Sequence, residues 1–91
     1  MLFMVIERFR NDDPGPVYRR ARENGRMLPD GLTYVASWVE DSGARCFQLV
    51  EGEGPALVAR WTARWEDLVD FEVVPVVTSA EAFATSRSTR R

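Results

Sequence analysis

Polar side chains set inside apolar runs are where this 91-residue chain places its possible chemistry. Gln48 stands at the centre of Arg45-Cys46-Phe47-Gln48-Leu49-Val50-Glu51, a run that alternates as a strand does. A buried amide left unsatisfied costs about 1–3 kcal/mol. Gln48 therefore either bonds Ser37 across a hairpin or presents its amide to a cavity. Glu7 and Glu72 lie in two other apolar runs. Carboxylates that share a half-dry pocket split their pKa values, one acting as acid and the other as base. The plainer reading leaves both at strand ends, solvated or paired with Arg8, Arg45 or Arg64. Cys46 is the only thiol. A reactive thiol needs a nearby cation or helix N-terminus, and the adjacent Arg45 points to the opposite strand face, so Cys46 reads as a small core residue. Tyr34 and Trp38 either line an aromatic pocket or serve core and intermolecular contacts.

Several chemistries are closed off by what is missing. The chain has no histidine, and all twelve of its basic side chains are arginine. Histidine triads, histidine metal ligands and lysine Schiff bases are excluded. There is no glycine-rich phosphate loop, no metal-spaced ligand cluster and no nucleophile elbow, so no metal or other cofactor is expected. Net charge is −2, which gives no reason to expect nucleic acid. Arg19, Arg20, Arg22 and Arg26 make a basic stretch, but Glu23, Asp12 and Asp13 interleave with it; a solvated face is the reading. Three arginines fall in the last five residues. Without them nine arginines face fourteen acids, leaving about −5 on the folded part. One cysteine forms no internal disulfide. The apolar start, Met1–Ile6, is too short for a signal-peptide core, and no run is long enough for a membrane span. The expectation is a cytoplasmic protein.

These residues need a framework. Leu2 to Phe9, nearly continuously apolar, reads as a first strand buried on both faces. Asn11-Asp12-Asp13-Pro14 starts a helix, with Asp at the cap and Pro at the first position, running to about Met27 unless Asn24-Gly25 ends it early. Pro29-Asp30-Gly31 is a turn. Leu32 to Glu40 and Arg45 to Glu51 form a hairpin around Ser42-Gly43, pairing Glu40 with Arg45, Val39 with Cys46, Trp38 with Phe47 and Ser37 with Gln48. Strict alternation puts Tyr34, Ala36, Trp38, Phe47 and Leu49 on one face, and Val35, Ser37, Val39, Cys46, Gln48 and Val50 on the other. A second Pro-started helix from Pro55 buries Leu57, Val58, Trp61 and Trp65, with Arg60 and Arg64 outward. Leu68 to Val77 is an edge strand, since Pro75 cannot donate to a ladder. A short helix ends near Phe83. The expected domain spans residues 1–83, and residues 84–91 form a disordered Ser/Arg-rich tail.

The order strand, helix, strand, strand, helix, strand predicts an α+β ferredoxin-like fold. It is βαββαβ with an antiparallel sheet ordered 4-1-3-2, two helices on one face and a short C-terminal helix. The helix-free face calls for cover, and a second copy of the chain supplies it most simply.

Several short motifs in order carry a resemblance over nearly the whole chain. They are Met1-Leu2-Phe3-Met4-Val5-Ile6-Glu7, Arg26-Met27-Leu28-Pro29, Gly31-Leu32, Trp38, Cys46-Phe47-Gln48-Leu49, Trp61, Trp65, Asp67-Leu68 and Glu72-Val73-Val74-Pro75-Val76. Together they resemble the bacterial domain of unknown function 3303 family, which at fold level is similar to dimeric α/β-barrel proteins. That likeness implies a homodimer and brings cofactor-free oxygenases and isomerases into view, without transferring a catalytic residue. The expected function is small-molecule binding between sheet and helices near Gln48, Glu7, Glu72, Trp38, Cys46 and Tyr34. The alternatives are a cofactor-free enzyme using carboxylates, or a purely structural or protein-interaction dimer. No nucleic-acid or membrane partner is expected.

Overall fold

The computed structural model describes residues 1–89. Its elements are β1 (Leu2–Phe9), a single 3₁₀ turn (Arg10–Asp12), α1 (Gly15–Asn24), β2 (Thr33–Val39), β3 (Arg45–Glu51), α2 (Pro55–Thr62), β4 (Val69–Val76) and α3 (Ser79–Thr89). The four strands form one antiparallel sheet in the order β2-β3-β1-β4, which is the expected 4-1-3-2 read from the other edge. The arrangement is ferredoxin-like. β1 and β3 are central, and Pro75 sits on an edge strand, where its missing N–H leaves no ladder bond unmade.

One face of the sheet carries the core. Phe3, Val5, Glu7 and Phe9 alternate inward along β1 and pack with Val17 of α1, Val58 and Trp61 of α2, Trp65 beyond it, Val50 of β3 and Val69 of β4. The other face has no helix over it. Its cross-strand rows follow from the register: Trp38, Phe47, Ile6 and Glu72 in one, Ala36, Leu49, Met4 and Val74 in the next, then Leu2 beside Val76. β1 is thus fully buried on one face only, and Leu2, Met4 and Ile6 are half-buried.

The hairpin pairs as expected, with Val39 opposite Cys46, Trp38 opposite Phe47 and Ser37 opposite Gln48. Arg45 closes its mouth on Glu40 with two bonds of 3.0 Å. The loop is built on a turn in which Gly43 N–H donates to the Glu40 carbonyl, and Gly43 takes φ +82°. Further along, strict alternation fails. Tyr34 pairs with Val50 and Ala36 with Leu49, so Val35 is an unpaired bulge. The extra residue turns Tyr34 and Leu32 to the helix side. Leu32 is buried in the core, and Tyr34 leaves the face that it was expected to share with Trp38.

Helix ends account for the remaining differences. α1 starts one residue later than expected: Pro14 precedes it, and Asp13 Oδ1 accepts a bond of 3.0 Å from Gly15 N–H. It stops at Asn24 because Gly25 adopts φ +68° and returns its N–H to the Ala21 carbonyl at 2.8 Å. α3 extends to Thr89, six residues past the expected end near Phe83, so residues 84–89 of the expected tail are helical. Its start is specified by a capping box, in which Thr78 Oγ1 accepts from Glu81 N–H at 3.0 Å and Glu81 Oε1 accepts from Thr78 N–H at 3.1 Å. Arg90 and Arg91, the rest of that tail, lie outside the described residues. No helix among the described residues is long and apolar enough to cross a membrane.

Candidate functional site

Between the sheet and α1 lies a cavity of about 270 Å³. β1 contributes Glu7 and Phe9 to its wall, β3 contributes Cys46 and Gln48, α1 contributes Val17, Tyr18 and Ala21, and Trp61 and Trp65 close the far side. Most of this wall is apolar. Its charged and amide groups form one connected chain of three side chains, and Ser37 and Tyr18 add hydroxyls to the lining.

Glu7 faces inward because β1 alternates Phe3, Val5, Glu7, Phe9 toward the helices, which places a carboxyl where a core residue is expected. It is only 6% exposed. Gln48 Nε2 donates to Glu7 Oε2 at 2.5 Å, and Arg26 Nε donates to Gln48 Oε1 at 3.1 Å. Arginine has no acceptor, so Gln48 must turn its oxygen to Arg26 and its NH₂ to Glu7. Glu7 accepts no second hydrogen bond among the described residues, and since no buried side-chain polar atom there lacks a partner, its other oxygen is open to the cavity space. Burial pushes the Glu7 carboxyl up to about 7, against the opposing pull of the Gln48 bond and the Arg26 charge. Cys46 is pushed up to about 11, first by burial and then by the Glu7 charge, with Arg26 opposing. At neutral pH it is a thiol and a poor nucleophile.

Arg26 is positioned by its backbone. After Gly25 ends α1, Met27 takes φ +58°, and the returning segment places the Arg26 carbonyl between two indoles. Trp61 Nε1 donates to it at 2.8 Å and Trp65 Nε1 at 3.1 Å, while Arg64 Nη1 donates to the Met27 carbonyl at 2.5 Å. The Arg26 guanidinium lies 3.8 Å from the Tyr34 ring centroid, and Tyr34 and Ser37 share a hydroxyl hydrogen bond of 2.8 Å. The Val35 bulge makes this stacking possible, since it brings Tyr34 to the helix side.

Of the six residues singled out from the sequence, Gln48, Glu7 and Cys46 line the cavity, and Tyr34 supports it through Arg26. Glu72 and Trp38 do not. Glu72 pairs with Ile6 and lies on the open face, whereas Glu7 pairs with Phe71 and faces the helices. Adjacent strand positions point to opposite faces, so the two carboxylates share no pocket and form no acid–base pair. Trp38 is 55% exposed on the open face. The hydroxyl of Ser37 is bound to Tyr34 and not to Gln48, whose amide is instead occupied at both ends, by Arg26 and by Glu7, while its side chain lines the cavity. Arg26, Tyr18, Trp61 and Trp65 were not singled out as site residues. The legible signal for Arg26 was the Asn24-Gly25 stop, which takes Arg26 off the helix face on which Arg19, Arg20 and Arg22 ride. Among the described residues no group of three His, Cys, Asp or Glu side chains converges to hold a metal.

Fold and cavity together define a small α+β domain of ferredoxin-like arrangement, with one covered sheet face that holds a carboxyl-bearing cavity. Residues 1–89 match the family described as Domain of unknown function (DUF3303), and the chain belongs to that family. No curated protein matches it.

Proposed function

We propose that the protein is a small-molecule-binding module whose pocket is the cavity under α1. The observation that carries this reading is Glu7: a carboxyl almost fully buried, held by one amide, with its second oxygen left to an apolar cavity. A buried polar group of this kind weakens a purely structural core, and a few placed polar groups in an apolar wall are what ligand pockets present. At about 270 Å³ the space suits a molecule built on a single ring. Amide NMR shifts on titration with single-ring neutral, anionic and cationic compounds test it. Shifts clustered at Val17, Ala21, Cys46 and Gln48, and lost in Gln48→Leu while that variant stays folded, are the expected outcome. An absence of clustered shifts with every compound would reduce the cavity to a packing void.

The open sheet face supports a second element of the reading, pairing with a second copy of the chain. Trp38, Phe47, Ile6, Leu49, Met4, Val74 and Leu2 make one contiguous apolar surface from three rows of the sheet. A surface of that kind favours association, and an isologous pair of sheets covers it without a further partner.

A further inference from the structure

We infer that the ligand of this cavity is a small organic monocarboxylate, its carboxylate held by the fork of Arg26 and its apolar body lying against Trp61 and Trp65. The inference rests on the ligand-binding reading and adds the chemical class. Arg26 is fixed at three points before any ligand arrives. Its carbonyl takes both indole N–H groups, its Nε is bound to Gln48, and its plane rests on Tyr34. Its two terminal nitrogens have no hydrogen-bond partner, and no carboxylate pairs with it, among the described residues. Three other arginines are already paired with acids. Arg20 gives both terminal nitrogens to Asp67 at 2.8 and 2.7 Å, Arg45 closes on Glu40, and Arg10 pairs with Asp70 at 3.2 Å.

A guanidinium held in one orientation has already lost much of the rotamer freedom that ion pairing costs, and its planar fork matches a carboxylate. The nearest acid does not satisfy it. Glu7 gives its hydrogen bond to Gln48 and makes no direct contact with the guanidinium, so the exposed fork of Arg26 stays open at the cavity wall. Arg26 is the cation of that wall, which suits a monoanion better than a phosphate dianion. The volume limits the body: about 150 Å³ already holds a benzene ring, and the space here is about 270 Å³.

Benzoate and benzamide have the same shape and differ in charge, so they separate the class from the pocket. Binding is read by tryptophan fluorescence in a Trp38→Phe background, which leaves Trp61 and Trp65 as reporters. Benzoate is expected to bind about tenfold more tightly than benzamide. In Arg26→Gln that preference disappears, and in Arg26→Lys it survives in part, because the charge remains and the fork does not. Folding is expected to persist in both variants, since the backbone carbonyl that the indoles use is unchanged, and circular dichroism checks this. Equal binding of the two probes, or a benzoate preference that survives Arg26→Gln, overturns the anion assignment and leaves the pocket standing. Failure of both probes to bind overturns the carboxylate class, and the pocket reading falls with it only if the cationic compounds of the NMR titration also fail.

Discussion

Gln48 uses both ends of its amide, accepting from Arg26 and donating to Glu7, and so joins a charged group at the cavity edge to a carboxyl in the core. The consequence is a pH dependence with a defined sign. Glu7 in the folded protein titrates near 7 and in the unfolded chain near 4.5. The native state therefore holds the proton more tightly, and its stabilising contribution is complete below pH 4.5 and lost as pH rises through 7. At about 1.4 kcal/mol per pKa unit, the change is on the order of 3 kcal/mol. The charged or titratable groups facing Glu7 are Arg26 from the α1–β2 connection, Cys46 from β3 and Tyr18 from α1; β4 opposite offers Phe71. Glu7→Gln keeps an acceptor for Gln48 and removes the titration. Urea unfolding from pH 5 to 8 should show wild-type stability falling and the variant's nearly flat; parallel curves would place the titration elsewhere. The same variant separates binding from acid–base chemistry, for which a carboxyl near 7 is well matched. Any turnover found with a bound compound should vanish in Glu7→Gln and persist in Glu72→Gln.

At the scale of elements, two local irregularities build the site. The Val35 bulge reverses the facing of β2 upstream of it, which buries Leu32 and puts Tyr34 under Arg26. The α1 stop depends on Gly25, whose φ of +68° and ψ of −159° belong to a region that residues with a Cβ rarely enter. No atom lies within 4 Å of where a Cβ at Gly25 would sit, so the cost of a substitution there is conformational and not steric. Gly25→Ala should destabilise the protein by about 1–3 kcal/mol. It should also weaken ligand binding beyond what that loss explains, because Arg26 follows directly. Equilibrium unfolding together with a titration of the folded variant measures both, and an Ala variant as stable as wild type would show that the segment relaxes freely. Much here was legible beforehand: the two helices that follow Pro14 and begin at Pro55, the burial of Trp61 and Trp65 (although α2 ends at Thr62, before Trp65), the hairpin register beside the turn and the edge position of Pro75. The bulge was not. Nothing in Leu32 to Val39 marks Val35 as the extra residue, since a bulge is chosen by which side chains the two sheet faces accept.

The whole molecule is a slab with principal extents of 51 × 31 × 17 Å and a radius of gyration of 15.0 Å, against about 12 Å for a compact chain of this length. A single sheet with helices on one face is thin, and its other face is the apolar surface around Trp38. In a pair of copies joined through that face, Trp38 of the edge strand β2 is the large apolar side chain left most open to be covered, and a charge there opposes association. Trp38→Glu should therefore convert a wild-type dimer to a monomer, read by sedimentation equilibrium, without the loss of folding that a core substitution brings, since Trp38 is more than half exposed. A wild-type monomer would show that the open face is tolerated in water.

The order of elements, the two-residue alternation of β1 and β3 and the placement of proline and glycine are local properties, and they were enough to determine the ferredoxin-like arrangement and to mark Gln48 and Glu7 as polar residues in apolar strands. Which of the marked residues share a space was decided by tertiary structure alone. Glu7 and Glu72 lie on adjacent strands, yet one register step sends them to opposite faces. Tyr34 changed sides through one unpaired residue. Arg26, one arginine among twelve, became the anchored cation of the cavity only when two indoles more than thirty positions away closed on its carbonyl. Facing and proximity depend on registers and turns that many distant contacts select together, and no short stretch of the chain contains them.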